Sequence, residues 1–281
     1  MYSKVTIIGT GLIGGSFALL LKRLKPEIRI NGVDLPEIIT SLPTDSPFDN
    51  LFTPENLGDA VEDADLSVLA VPNNQILKML PDVRSRAKKG SLVCDVGSVK
   101  GPILEEASKH SSSFVSFIGG HPIGGSEGQG FVSASADLLN GVRFIICPAE
   151  NVSKEITLLY TQFLESLNFK VLEMEASVHD KLIAYTSHLP HLLSTALSLS
   201  VGSVDNAELT VGPGFSSISR LAASPAKIWD DIFQLNKENL LDAVNRLTSV
   251  ISDLKDKIEN GSIEDQMLLA AELRSKMLRD D

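Results

Sequence analysis

The sequence predicts an α/β chain of Rossmann type: a mostly parallel, doubly wound sheet followed by an all-α C-terminal part. Three observations carry this. A glycine-rich turn, Gly9-Thr10-Gly11-Leu12-Ile13-Gly14, joins a β-branched run to a helical one. Short apolar runs then alternate with helical periodicity as far as Met174. Beyond Ala176 the strand signals stop and helical spacing runs to the end. Such alternation builds a parallel sheet covered on both faces. The expected division is 1–174 for the sheet domain and 175–281 for the helical one.

The elements follow in order. Lys4 to Ile8 is a strand ending on glycine. Ile13, Phe17, Leu20, Leu21 and Leu24 then recur on one helical face, and Arg29 to Val33 forms the next strand, ending at Asp34. Together they make a βαβ unit of about 30 residues. Leu42 to Pro47 is turn-rich and predicts a surface loop. Strands are expected at Leu66 to Val71, at Leu92 to Val96, at Phe114 to Ile118 and at Val142 to Cys147, the first stopped by Pro72 and the last by Pro148. Ser153 caps a helix with Ile156, Leu159, Tyr160, Phe163 and Leu167 on its buried face. Lys170 to Met174 supplies a last strand. The helical part breaks at Val211-Gly212-Pro213-Gly214. Its last long helix carries Leu240, Val244, Leu247, Ile251, Leu254 and Ile258, spaced alternately by 4 and 3. That stripe packs on its own domain or on a second subunit.

Composition excludes several classes. With 281 residues, 43% of them hydrophobic, the chain can bury two cores. A formal net charge of -11 and the lack of a basic stripe argue against a nucleic-acid partner. No apolar stretch is long enough to span a bilayer, so no membrane partner is expected. The chain enters a strand at once, without the apolar region of a secretory signal. Cys94 and Cys147 sit in apolar runs and are expected as buried thiols in a reducing compartment. A cytoplasmic protein is expected.

The glycine turn meets three tests of a dinucleotide fingerprint: it follows a strand, opens a helix, and has an acid, Asp34, 20 residues after Gly14. Gly9 allows the tight turn, Gly11 lets the backbone approach a pyrophosphate, and Gly14 lets helix and strand pack closely. Thr10, Leu12 and Ile13 complete the turn, and Val71 and Pro72 end a neighbouring strand, so all are expected at the cofactor. The carboxylate of Asp34 suits the ribose hydroxyls of NAD and repels the 2′-phosphate of NADP. Leu35-Pro36-Glu37 holds no Arg, Lys or Ser to bind that phosphate. NAD is therefore expected over NADP.

Two further segments lie where open α/β sheets bind ligands, past the C-terminal ends of strands. Asp95-Val96-Gly97-Ser98-Val99-Lys100-Gly101 presents Ser98. Gly119-Gly120-His121-Pro122-Ile123-Gly124-Gly125-Ser126-Glu127 presents His121. A neutral imidazole suits proton acceptance near neutral pH. A turn histidine bonded to backbone is the other reading, and residue type alone leaves both open. Val178-His179-Asp180 and Ser187-His188-Leu189-Pro190-His191 bring more histidines. No metal is expected: Pro190 disturbs the His188/His191 spacing, the cysteines lie in strands, and no H-E-x-x-H pattern occurs.

Taken together, Gly9 to Ser16, Gly97 to Gly101, Gly119 to Glu127 and Ser187 to His191 resemble the prephenate/arogenate dehydrogenase family of tyrosine biosynthesis. Phe215 to Ala222 and Trp229 to Phe233 extend the resemblance, which runs from Val5 to about Asn239. It implies oxidation of a cyclohexadienyl alcohol with NAD(P)+ and loss of the ring carboxylate as CO2, driven by aromatisation. It implies that His121 accepts the ring-hydroxyl proton as hydride leaves for NAD+, and that Ser98 bonds the same hydroxyl. Arg220 would hold a substrate carboxylate, His191 would bond the substrate side chain, and Glu127 would set polarity at the pocket mouth. Trp229 would line the site or support Arg220; as the only tryptophan it reads equally as a core or interface anchor. His179 and His188 are left as structural or supporting residues. A homodimer through the C-terminal helices is implied.

The sequence departs from some relatives at Ser217, where they carry an acid three positions before the arginine. Leu35 to Asp49 is more proline-rich than the usual helix. No regulatory or mutase domain is expected after the helical half, so any tyrosine feedback would act near the site. Lys100, Arg220 and the His191 region offer donors for a dianionic keto acid, which favours prephenate, with arogenate as the alternative. β-Hydroxyacid dehydrogenases, pyrroline-carboxylate reductases and a non-catalytic NAD sensor are the rival readings.

Overall fold

Eight strands form one sheet among the described residues: β1 Lys4–Ile8, β2 Arg29–Val33, β3 Asn50–Phe52, β4 Leu66–Leu69, β5 Leu92–Asp95, β6 Ser116–Pro122, β7 Arg143–Pro148 and β8 Lys170–Glu173. The computed structural model describes residues 2–109, 114–126 and 128–278. The strand order is β3-β2-β1-β4-β5-β6-β7-β8. All neighbours pair in parallel except β6 and β7, which are antiparallel. The order reverses between β1 and β4, and a ligand crevice opens at such a point beyond the strand ends.

Alternate side chains feed two cores, as the period of a strand requires. Ile7, Val68, Cys94 and Ile118 face one core with Phe17, Leu21, Tyr160 and Leu164 from the helices Leu12–Leu24 and Lys154–Ser166. Ile8, Leu69, Val93 and Phe117 face the other with Ile76, Leu80 and Ile103 from the helices Asn73–Arg86 and Gly101–Lys109. Each such side chain removed from water contributes about 1.5–3 kcal/mol. This is the doubly wound sheet that the sequence predicts.

Three details differ from the sequence reading. The helix Lys154–Ser166 is capped by Ser153 as expected, the serine hydroxyl accepting from the Ile156 N–H at 3.3 Å, but the helix differs in phase. Its buried face runs through Thr157, Tyr160 and Leu164 instead of Leu159, which is 53% exposed. Strand β3, Asn50–Phe52, which follows the loop read at Leu42 to Pro47, was not expected. Its entry is held by Asp49, which accepts from the Ile30 N–H at 2.7 Å and from Lys22 at 2.7 Å. Strand β6 covers Ser116–Pro122 where Phe114 to Ile118 was expected. Gly119 and Gly120 disfavour a strand by propensity, but pairing with Cys147 and Ile146 of β7 carries the strand through them.

After β8 the chain is helical. The helix Ala176–Ile183 passes through a π-turn, Ala184–His188, into the helix Leu189–Gly202. Pro190 supplies the reason. It has no N–H and its ring crowds the preceding turn, so a regular α-helix cannot pass it unchanged. The wider turn closes instead with the Leu189 N–H on the Ala184 carbonyl. The long helix Lys237–Asn260 buries Leu240 and Ala243 on this layer. Farther along the predicted stripe, Ile251 and Ile258 remain exposed. No helix among the described residues is long and apolar enough to cross a membrane.

Candidate active site

The glycine turn leaves β1 at the switch point. Gly9 has φ +97°, and a Cβ there would lie 2.4 Å from the Ala70 carbonyl oxygen at the end of β4. A Cβ on Gly14 would lie 1.9 Å from the Gly9 oxygen. Both positions therefore demand glycine, one for backbone conformation and both for space. Gly11 differs, because a Cβ there meets nothing within 4 Å. Its open side faces space beside the N-terminus of the helix Leu12–Leu24, which no side chain caps. Uncapped N–H groups and the dipole at a helix start attract phosphate. The turn thus fits a dinucleotide pyrophosphate. Val71 closes over Gly9, 2.8 Å from the same hypothetical Cβ.

Asp34 ends β2 beside this turn. Its Oδ2 accepts from the Thr10 N–H at 2.7 Å and the Thr10 hydroxyl at 2.9 Å, and its Oδ1 accepts from the Leu35 N–H at 2.8 Å. A carboxylate has about four lone-pair directions, so three are occupied. Accepting both ribose hydroxyls requires the Thr10 hydroxyl to turn away.

Ser98 and His121 stand at the same edge of the sheet. Ser98 follows β5, and its N–H donates to Asn73 Oδ1 at 3.1 Å. His121 lies on β6, paired with Ile145 of β7. It is therefore held by a ladder, where the sequence placed it in a turn after the strand. Gly120 beside it admits no side chain, because a Cβ would lie 2.4 Å from the Asp95 carbonyl oxygen. His121 Nδ1 sits 2.9 Å from His179 Nε2, and His179 Nδ1 sits 2.8 Å from Asp180 Oδ1. Asp180 also accepts from the N–H groups of Lys100 at 2.7 Å and Gly101 at 2.8 Å. Burial pushes the Asp180 carboxyl up, but the His179 bond and these two N–H groups outweigh it and hold it below its ordinary value.

Lys100 is not a substrate ligand. Its side chain is fully buried, and its amine is engaged by the Asp95 carboxylate and by the Gly120 carbonyl at 2.6 Å. Asp95 further accepts from the Gly97 and Gly120 N–H groups. This buried pair fixes the ends of β5 and β6 against each other. It removes Lys100 from the donors expected for a dianionic substrate.

The helical part supplies a second wall. His191 stacks on Trp229, with ring centroids 3.3 Å apart and planes at 20°. His188 meets Trp229 edge-on at 6.1 Å. Asn236 donates to the Asp180 carbonyl at 2.8 Å and lies 3.2 Å from His188 Nδ1. Arg220 opens the short turn Arg220–Ala223. That turn is pinned on the helix Leu189–Gly202 by the Ala222 N–H on Ser194 Oγ at 2.9 Å and by the His191 ring on the Leu221 backbone. Trp229 thus stands beside His191 and the arginine turn. Glu127 lies outside the described residues.

Sequence reasoning left His179 as a structural or supporting residue without its partners, and missed Asp180 and the inward role of Lys100. The available signals were the adjacent His-Asp pair and an acid, Asp95, in an otherwise apolar strand. Neither names its partner, because these contacts join residues 58 and 80 positions apart.

Three histidines are held neutral. Burial, and then the neighbouring His179, keeps His121 well below the ordinary 6.5. Burial pushes His188 and His191 down to about 4. Between pH 6.5 and 4 the unfolded chain binds these protons and the fold does not, so stability rises with pH across that window. Thermal melts are expected to show Tm falling as pH is lowered from 6.5 toward 4. A flat Tm there would contradict the apolar setting of these rings.

Comparison with known proteins agrees with this layout. A family model described as the prephenate dehydrogenase nucleotide-binding domain matches residues 17–173, and one described as the prephenate dehydrogenase dimerization domain matches 175–274. The chain is 30% identical to a prephenate dehydrogenase of Lactococcus lactis, covering 91% of this chain and 71% of that one. It is 28% identical to a prephenate dehydrogenase of Bacillus subtilis, covering 94% and 72%. Among solved structures, the prephenate dehydrogenase of Aquifex aeolicus in complex with hydroxyphenyl propionate and NAD+ is 28% identical. It covers 98% of this chain and 97% of that one, with a TM-score of 0.85. Matched by both models of the family, the chain belongs to the prephenate dehydrogenases.

Proposed function

We propose that this chain catalyses the NAD-dependent oxidative decarboxylation of prephenate to 4-hydroxyphenylpyruvate, a step of tyrosine biosynthesis in the cytoplasm. The observation that carries the reading is the place of His121. It is a neutral histidine at the sheet edge that also presents Ser98, on the same side as the glycine turn. NAD+, when bound, supplies the two-electron acceptor for the ring carbinol. Gly9, Gly11 and Gly14, with Thr10, Leu12, Ile13, Val71 and Pro72 around them, hold its pyrophosphate side, and Asp34 takes its ribose. His121 accepts the proton of the ring hydroxyl, and Ser98 bonds the same hydroxyl and orients it. Arg220 holds a carboxylate through its planar fork. His191, braced by Trp229, bonds the substrate side chain.

The division at 174/175 follows the end of β8 at Glu173 and the helix start at Ala176. The helical half pairs with a second copy. Support comes from the exposed apolar residues Ile251, Ile258, Leu268 and Leu269 on its last two helices and from the dimerization-domain match.

Absorbance at 340 nm, followed with NAD+ and prephenate and then with arogenate, tests the reaction. Turnover is expected with prephenate. NAD binding without turnover of either compound would replace the enzyme reading with that of a sensor. Asp34→Ser is expected to cut the kcat/KM ratio of NAD over NADP by about tenfold or more, the worth of a charge-assisted hydrogen bond. A wild type that already prefers NADP would overturn the role of Asp34.

A further inference from the structure

We infer that Asp180 is a positioning residue that sets both partners of the reacting hydroxyl, fixing the tautomer of His121 through His179 and the backbone beyond Ser98 directly. The inference rests on the reading of His121 as proton acceptor. It begins with what each group can do. An ionised carboxylate only accepts, so His179 Nδ1, 2.8 Å from Asp180 Oδ1, carries the proton. Neutral His179 then offers Nε2 as an acceptor. His121 Nδ1, 2.9 Å away, must donate to it. His121 is thereby left with an unprotonated Nε2 on the side away from the relay.

The same carboxylate reaches the other partner. Its two oxygens accept from the consecutive N–H groups of Lys100 and Gly101, at the start of the helix Gly101–Lys109. Ser98 is two residues before Lys100. Asp180 comes from the helical half, whereas Ser98 and His121 come from the sheet. One side chain of the substrate wall thus registers both groups of the sheet edge. His179 is fully buried and Asp180 is 5% exposed, so water does not compete for these bonds.

The relay also answers a chemical difficulty. His121 touches no carboxylate in this relay, so it is a poorer resting place for a positive charge than His179, which has Asp180 beside it. When His121 Nε2 takes the hydroxyl proton, its Nδ1 proton can pass to His179 Nε2. His121 returns to neutrality with the proton on Nε2, and the positive charge rests on His179 beside the Asp180 carboxylate. One proton enters and none is lost, and Asp180 stays ionised, as in triads where a carboxylate orients a histidine.

The test is 15N NMR of histidine-labelled protein without substrate, joined to kinetics. In wild type, His121 is expected to show an N–H coupling at Nδ1 and none at Nε2. In Asp180→Asn the amide can donate to His179 Nδ1, the pair reverses, and His121 is expected to carry its proton on Nε2. For that variant kcat is expected to fall by ~10²–10⁴, with KM and the NAD dissociation constant within about threefold of wild type. His179→Phe, which leaves the Lys100 and Gly101 bonds in place, is expected to lose kcat in the same way and guards against misfolding of the first variant. A wild-type His121 protonated on Nε2, or kcat retained within about threefold in both variants, would overturn the inference. The NMR arm needs no turnover, so it stands or fails separately from the assignment of substrate.

Discussion

His121→Asn is expected to lower kcat by ~10²–10⁴, the usual share of a general base, while NAD affinity stays unchanged. The substitution removes the only imidazole on β6 and leaves the glycine turn of β1 untouched. Steady-state rates at 340 nm and calorimetric titration with NAD separate the two effects. A pH profile adds a second check. His121 is held well below the ordinary imidazole value by burial and by His179. Its protonated form cannot accept, so the acid limb of kcat/KM lies below pH 6.5 in wild type and disappears in the variant. Wild-type turnover in His121→Asn would remove this residue from the chemistry.

Lys100→Met is expected to destabilise the fold by about 3–5 kcal/mol, the cost of stranding one member of a buried ion pair. Asp95 would face an apolar methyl group in place of the amine, and the Gly120 carbonyl would lose its donor. Burial already raises the Asp95 carboxyl above its ordinary value, against the pull of Lys100. Without the amine, protonation becomes its way out. A folded-state value raised above the unfolded one gives stability that is lost as pH rises. The gap to wild type is therefore expected to narrow as pH is lowered from 7 to 5, read from urea midpoints at each pH. A variant within about 1 kcal/mol of wild type at pH 7 would show that the pair is not buried as described.

The sheet was legible because its signals are local. Glycine at 9, 11 and 14, the acid at Asp34 and the apolar runs of β1, β2, β4 and β5 each announce themselves within a few residues. The position of Ser98 just past β5 was legible for the same reason. Strand β6 was harder, since Gly119 and Gly120 hide a strand that exists by virtue of its β7 partner. The phase of the helix Lys154–Ser166 was misjudged at Leu159 because apolar residues occur nearly all round it, and only the direction of the sheet chooses among them. Lys100 was read as a donor to a dianionic substrate, in a loop of small residues. Its burial depends on Asp95 and on a carbonyl contributed by another strand. His179 and Asp180 are visible in the sequence only as an adjacent pair, which does not name its partners, because the contacts arise when the helical half meets the sheet edge.

The π-turn at Ala184–His188 acts on timing around the helix axis. A turn closed over one extra residue advances everything after it by about 100° relative to an unbroken α-helix. Upstream of it, His179 and Asp180 are aimed at the sheet edge. At its end and downstream, His188 and His191 are aimed at Trp229 and the arginine turn. The turn is thus a phase shifter between two sets of side chains on one rod. Removing Ser187 from it would leave His179, Asp180, His188 and His191 all present, yet rotate one set out of register with the other. A one-codon deletion there is expected to separate the proposed proton acceptor from the proposed substrate-holding residues without substituting any of them.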